Sequence, residues 1–96
     1  MHKREEVLID FDLSSYLDSK EAIVEYLNQV LNEGDSSEFM RALYYVAKAK
    51  GMTEVANDTG LSRTSLYKIF ADDAKPRFET VLKVLNALGI ELKVAI

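Results

Sequence analysis

The amino-acid sequence predicts an all-α protein of five helices with a short C-terminal β-strand. Three observations carry this prediction. Apolar residues recur at helical spacing between about residues 19 and 88, glycines and small polar residues bound these segments, and the last seven residues alternate between apolar and other side chains. A chain of 96 residues has the length of one domain with a modest core.

The first predicted helix covers about residues 19–33, because its apolar positions follow a helical period. Asp18 is its expected N-cap, Glu21 is the capping-box partner three residues later, and Gly34 ends it. The next three helices are expected to be capped by Ser36 or Ser37, by Thr53 and by Ser62, and the last helix is expected to begin at Arg77. In the last helix, the side chains expected to point inward are Phe78, Val81, Leu82, Leu85 and Leu88.

The two ends of the chain differ from this helical body. Residues 1–17 form a predicted N-terminal extension, partly extended, and residues 18–96 a single domain. In the tail, 90–96, the pattern predicts a strand with one apolar face. A lone strand is unstable, so this one must pair with the N-terminal segment or with its copy in a second subunit. The residues predicted to contribute to a homodimer interface are Ile90, Leu92, Val94 and Ile96.

The acidic residues are concentrated in the first third of the chain. Residues 1–35 hold three Lys or Arg against nine Asp or Glu, a balance of −6, whereas residues 36–96 hold nine against seven, a balance of +2. A split of this kind indicates two surfaces with different partners. A solvated acidic face is the alternative interpretation.

Several functional classes lack the residues they need. The chain has no cysteine and one histidine, His2, so neither a cysteine-based metal site nor a catalytic triad can be assembled. We therefore expect no enzyme, no metal and no cofactor. No apolar run approaches the roughly 18 residues of a membrane span, and no signal peptide is evident, so a cytoplasmic protein without a membrane or small-molecule partner is expected.

The most informative block is residues 53–70, which has the features of a helix-turn-helix. Ala56 is small where two helices must approach closely, and Gly60 permits a left-handed turn between them. Leu61 is expected to plug the core, and Ser62 to cap the second helix. Leu66 is expected to anchor that helix inward, together with Ile69.

This arrangement leaves a polar face on the second helix, formed by Arg63, Thr64, Ser65, Tyr67 and Lys68. Arginine can make bidentate contacts to guanine, and serine and threonine can contact base edges or phosphates. Because the first turns of a recognition helix enter the major groove, the pattern favours binding to double-stranded DNA. Tyr67 and Lys68 suit phosphate contacts. An ordinary helical hairpin with a solvated face is the alternative.

The stretch from Gly51 to Lys68 closely resembles the Xre/Cro-like antidote proteins of bacterial addiction modules, a HigA-like family. Further similar stretches lie on both sides of it, and the resemblance covers about residues 10–96. These stretches are Phe11-Asp12, Tyr16-Leu17, Glu21-Ala22, Tyr26-Leu27, Gly34-Asp35, Pro76 to Phe78 and Leu82 to Gly89. The resemblance implies a five-helix Xre/Cro-like fold.

The resemblance also implies an antitoxin that neutralises a small basic toxin of the RelE/HigB-like group and represses its own operator as a dimer. It adds Ser62 as a DNA-facing residue and places Thr53 near a phosphate. The entry to the first motif helix departs from the wider family, being about two residues shorter, with Met52 near the place of a frequent glutamine. The candidate toxin-binding residues are Asp10, Asp12, Asp18, Glu21 and Glu25.

Two other functions remain open at this point. A phage-type or metabolic repressor without a toxin partner shares every DNA-binding feature and differs only in what the first 35 residues do. A protein-interaction module would leave the polar helix face solvated, and a salt-dependent DNA-binding assay distinguishes it.

Overall fold

The computed structural model describes residues 19–96, and within them the chain forms five α-helices and no strand. The predicted all-α class and the number of helices are confirmed. The chain divides after Ala49 into two compact units, which are described separately. The helices are α1 (Lys20–Glu33), α2 (Ser36–Lys50), α3 (Met52–Thr59), α4 (Arg63–Ile69) and α5 (Phe78–Ala87).

The first unit contains α1 and nearly all of α2, and both helices start at a capping side chain. The Ser19 hydroxyl accepts the Ala22 N–H at 3.2 Å, so the cap lies one residue after the predicted Asp18, which is outside the described residues. A carboxylate oxygen of Asp35 accepts the Glu38 N–H at 2.9 Å. The predicted cap at Ser36 or Ser37 is therefore wrong, because the preceding aspartate satisfies the orphan donor first.

The buried side chains of the first unit lie mainly along one stripe of α2. Ala42, Leu43, Val46 and Ala47 are buried, with Leu43 and Ala47 fully so, and Leu27 is the buried residue of α1. The spacing of the four α2 residues is that of one helix face. Most other positions of α1 are exposed or half-buried.

In the second unit, α3 packs against both α4 and α5. Its buried side chains come from all three helices: Met52, Val55, Ala56, Leu66, Val84 and Leu85. The predicted cap at Thr53 is wrong, because α3 begins at Met52 with Gly51 in the cap position and no side-chain cap. Gly51 has φ +117°, a conformation that side-chain-bearing residues rarely adopt.

Phe78 is 65% exposed, although it was expected to point inward. It is the first residue of α5, and the buried residues of that helix, Val84 and Leu85, come two turns later. Of the other predicted residues, Leu85 is buried and Val81, Leu82 and Leu88 are half-buried, whereas the fully buried Val84 was not among those predicted.

The end of α5 is fixed by backbone hydrogen bonds. The Gly89 N–H bonds to the Asn86 carbonyl at 3.0 Å and the Ile90 N–H to the Leu85 carbonyl at 2.9 Å, with Gly89 at φ +74°. This is a Schellman arrangement. The strand predicted over residues 90–96 is wrong for the described chain, because no second strand lies there to pair with it.

No helix among residues 19–96 is long and apolar enough to cross a membrane.

Candidate nucleic-acid interface

The connection between α3 and α4 is a tight turn built on Gly60. This residue has φ +78° and donates its N–H to the Ala56 carbonyl at 3.0 Å. The Thr59 hydroxyl also donates to the Ala56 carbonyl, at 3.0 Å, and accepts the Leu61 N–H at 3.3 Å. Both the left-handed glycine and the side-chain bonds of Thr59 therefore fix where the chain leaves α3.

The first turn of α4 is held by Ser62, as predicted. Its hydroxyl oxygen accepts the Ser65 N–H at 3.0 Å and donates to the Ser65 hydroxyl at 3.0 Å. An N-cap of this kind satisfies one of the backbone donors that a helix start leaves without a partner. It also sets the backbone of Arg63 and Thr64, which lie between the two serines.

One residue of α4 anchors it to the core of the second unit. Leu66 is fully buried, and Ala56 on α3 is 4% exposed, as expected for a small residue at a close helix approach. Leu61 and Ile69 are half-buried. Leu66 points inward, and the residues next to it along α4, Ser65 and Tyr67, are exposed.

Every residue predicted to contact DNA is exposed. Six of them belong to one continuous segment, 62–68, and the seventh, Thr53, lies in the first turn of α3. The six are Ser62, Arg63, Thr64, Ser65, Tyr67 and Lys68. The segment 61–71 contains two basic residues and no acidic one. This surface can therefore offer hydroxyl, guanidinium and ammonium donors to an anionic partner.

Two side chains of this surface are arranged together. The guanidinium carbon of Arg63 lies 5.9 Å from the ring centroid of Tyr67, within cation–π range. Sequence reasoning placed both residues on the exposed face and gave them separate roles. Their spacing of four residues on a helix was the signal that indicates contact.

Sequence reasoning missed a further contact, which lies outside the predicted DNA-binding residues. The Lys50 ammonium lies 3.5 Å from the Asp58 carboxylate and donates a hydrogen bond to the carbonyl of Ala87. Asp58 is in the last turn of α3 and Ala87 is the last residue of α5. The link therefore joins α3, against which α4 packs, to the end of α5.

The predicted dimer residues are mostly exposed. Val94 is 94% and Leu92 46% exposed, Ile96 is also exposed, and Ile90 is half-buried. The alternating apolar side chains of the tail are therefore available for a partner.

The predicted toxin-binding residues are partly described. Glu21 and Glu25 are exposed on α1, whereas Asp10, Asp12 and Asp18 lie outside the described residues. The same helix exposes two apolar side chains, Val24 at 41% and Leu31 at 49%. Val24 comes three residues after Glu21 and Leu31 seven after Val24, so the acidic and apolar groups are neighbours on the helix surface.

Comparison with known proteins identifies the class to which this helical chain belongs. Residues 7–96 match the family described as "Probable addiction module antidote protein". An uncharacterized protein of Haemophilus influenzae is 40% identical over 89 residues, which are 93% of this chain and 92% of the relative. No solved structure matches the chain. The chain therefore belongs to the family of probable addiction module antidote proteins, as its motifs predicted.

Proposed function

We propose that this protein is the antitoxin of a type II toxin–antitoxin module. In this proposal it neutralises a small basic toxin of the RelE/HigB-like group and binds its own operator DNA as a dimeric autorepressor. The family match supports the antidote role. The observation that carries the DNA-binding role is the exposed polar segment 62–68 around the buried Leu66.

For DNA binding, we assign α3, the Gly60 turn and α4 to a helix-turn-helix of the Xre type, within a domain spanning residues 18–96. In this assignment α4 lies in the major groove and Thr53 lies near a phosphate. Two copies in a dimer would read half-sites about one helical turn, ~34 Å, apart. The exposure of all seven predicted DNA-contacting residues supports this assignment.

The DNA-binding test is a titration of the full chain with the duplex upstream of its own coding sequence. Arg63→Ala and Lys68→Ala are expected to weaken binding, and Lys68→Ala also to reduce the salt dependence by about one phosphate contact. Lys83→Ala is the matched control, because Lys83 is exposed on α5 outside this surface. Binding that is unchanged by Arg63→Ala would refute the recognition-helix assignment.

For dimerisation, we assign the contact to the tail 90–96, paired with its copy in a second subunit. The exposed apolar side chains at alternate positions of the tail favour such a contact. Leu92→Asp is expected to give a monomer in sedimentation analysis, whereas Lys93→Asp, on the other side of the alternation, is expected to leave the dimer intact. A dimer that survives deletion of residues 90–96 excludes the tail as the contact.

For toxin binding, we assign the exposed face of α1 that carries Glu21 and Glu25 beside Val24 and Leu31. Carboxylates speed the encounter with a basic partner and select it, and the apolar side chains supply area that binding can bury. The acidic residues Asp10, Asp12 and Asp18 belong to the same assignment.

Co-expression with the toxin encoded beside this gene tests the toxin-binding assignment. The wild-type chain is expected to restore growth, and the double variant Glu21→Lys, Glu25→Lys to fail. Glu79→Lys, an exposed charge reversal on α5, is the control expected to rescue like the wild type. Absence of rescue by the wild-type chain, together with intact operator binding, would favour a repressor without a toxin partner.

A further inference from the structure

The exposed surface of α4 contains an organised side-chain pair at its start. Arg63 and Tyr67 lie four residues apart on the helix, with the guanidinium carbon 5.9 Å from the ring centroid. Tyr67 is 42% exposed, and the helix is anchored by its neighbour Leu66, which is fully buried. The Tyr67 ring therefore lies partly at the surface, where its neighbour is an arginine.

The arginine is restricted at both ends of its side chain. Its backbone lies inside the first turn, which Ser62 fixes through the Ser65 N–H and hydroxyl at 3.0 Å. Its guanidinium carbon lies within cation–π range of the Tyr67 ring, and such a contact does not use up the five N–H donors of the guanidinium. An immobilised side chain loses less conformational entropy when it binds.

We propose that Tyr67 is a positioning residue that holds Arg63 for guanine recognition, so that each operator half-site carries a guanine read by Arg63. The proposal rests on the DNA-binding function proposed above. Guanine offers two acceptors, O6 and N7, in the major groove, which match the fork of donors on arginine. Tyr67 thereby acts through Arg63, a different role from the phosphate contact expected from the sequence.

The experiment selects binding sites from a duplex library with a randomised core of about 20 base pairs, enough for two half-sites. The full-length wild type is compared with Arg63→Lys, Tyr67→Phe and Tyr67→Leu. Each protein is then titrated with the selected duplex and with duplexes in which the guanine is replaced. Circular dichroism of each variant checks that helix content is retained.

The wild type is expected to prefer guanine by about five- to hundredfold at one position of each half-site. Tyr67→Leu should reduce that preference by about two- to fivefold, and Tyr67→Phe should retain it because the ring face is kept. Arg63→Lys keeps the charge without the planar fork, so it should weaken the preference at this position alone. This variant also tests guanine reading if Tyr67→Leu does not fold.

Three results would overturn the inference while leaving DNA binding intact. The first is a Tyr67→Leu protein that prefers guanine as strongly as the wild type. The second is a Tyr67→Phe protein as impaired as Tyr67→Leu, since the hydroxyl would then be responsible. The third is a guanine preference that Arg63→Lys does not change, or a selected site without guanine. Absence of salt-dependent duplex binding by the wild type overturns the DNA-binding function and this inference together.

Discussion

Lys50 and Asp58 form an ion pair of 3.5 Å, and the same ammonium donates a hydrogen bond to the Ala87 carbonyl. The last residue of α2 therefore links the end of α3 to the end of α5. The last carbonyls of a helix have no partner within the helix, and a cation there also interacts favourably with the helix dipole. Lys50 therefore provides a hydrogen-bond donor for the Ala87 carbonyl and a positive charge near the C-terminus of α5.

Replacing Lys50 by methionine should lower the free energy of unfolding by about 0.5–1 kcal/mol, a modest value because both side chains are partly exposed. Asp58→Asn should cost less, about 0.2–0.5 kcal/mol, since Lys50 keeps its bond to Ala87. Urea denaturation at low salt measures both. Lys93→Met is the control, because the Lys93–Glu91 pair is 82% exposed on each side and should contribute nothing measurable. Equal losses in all three variants would contradict the linking role of Lys50.

Gly60→Ala should destabilise the protein by about 1–2 kcal/mol. The cost is purely conformational, since no atom lies within 4 Å of a Cβ added at this glycine with φ +78°. Gly60→Asn should cost less, because asparagine tolerates the left-handed region better than alanine. Thermal unfolding of the two variants provides the comparison. If Gly60→Asn destabilises the protein as much as Gly60→Ala, the left-handed conformation does not explain why glycine is required at this position.

Two substitutions of Ser62 distinguish its effect on protein stability from its effect on duplex binding. Ser62→Ala should lose about 1 kcal/mol, the usual cost of an N-cap. Ser62→Asp should recover most of that stability, since aspartate also caps helices well. Under the proposed function, the added carboxylate should still weaken duplex binding by repelling phosphates. A Ser62→Asp protein that binds the duplex as tightly as the wild type would argue against contact between this turn and DNA.

Tyr26 should make stability fall in alkaline solution. Burial raises the pKa of its half-buried phenol above the ordinary value of 10.0, and neighbouring Tyr45 raises it further. The unfolded chain therefore loses this proton first. The stabilising contribution is fully present below pH 10.0 and is lost as the pH rises through the higher folded value. Urea unfolding between about pH 8 and 11 should show a steeper decline for the wild type than for Tyr26→Phe. Parallel declines would contradict the assignment.

The features that the sequence predicted well depend on neighbours in the chain. The turn at Gly60 and the cap at Ser62 were predicted because a glycine and a serine at those offsets leave the backbone few alternatives. The prediction of the N-cap was wrong where several residues that can cap a helix are adjacent in the sequence. Asp35 precedes two serines that can each cap a helix, and the sequence does not indicate which of the three oxygens reaches the N–H of Glu38.

The features that the sequence did not predict depend on distant contacts. Lys50 and Ala87 are separated by 37 residues, and no local pattern pairs an ammonium with a carbonyl at that distance. The strand expected in the tail depended on a partner strand, which the described chain does not contain. The exposed position of Phe78 depends on how far the core of the second unit extends along α5.

The hydrogen bonds that close α5 constrain how the protein can diverge. Because Gly89 reverses the backbone and Ile90 is bonded back to Leu85, the tail leaves the helix in a set direction. Under the proposed pairing of the tail with its copy, alternate side chains face the partner, so one residue inserted after Ile90 would move Leu92, Val94 and Ile96 to the opposite face. Two copies that differ by one such residue would then no longer pair with each other.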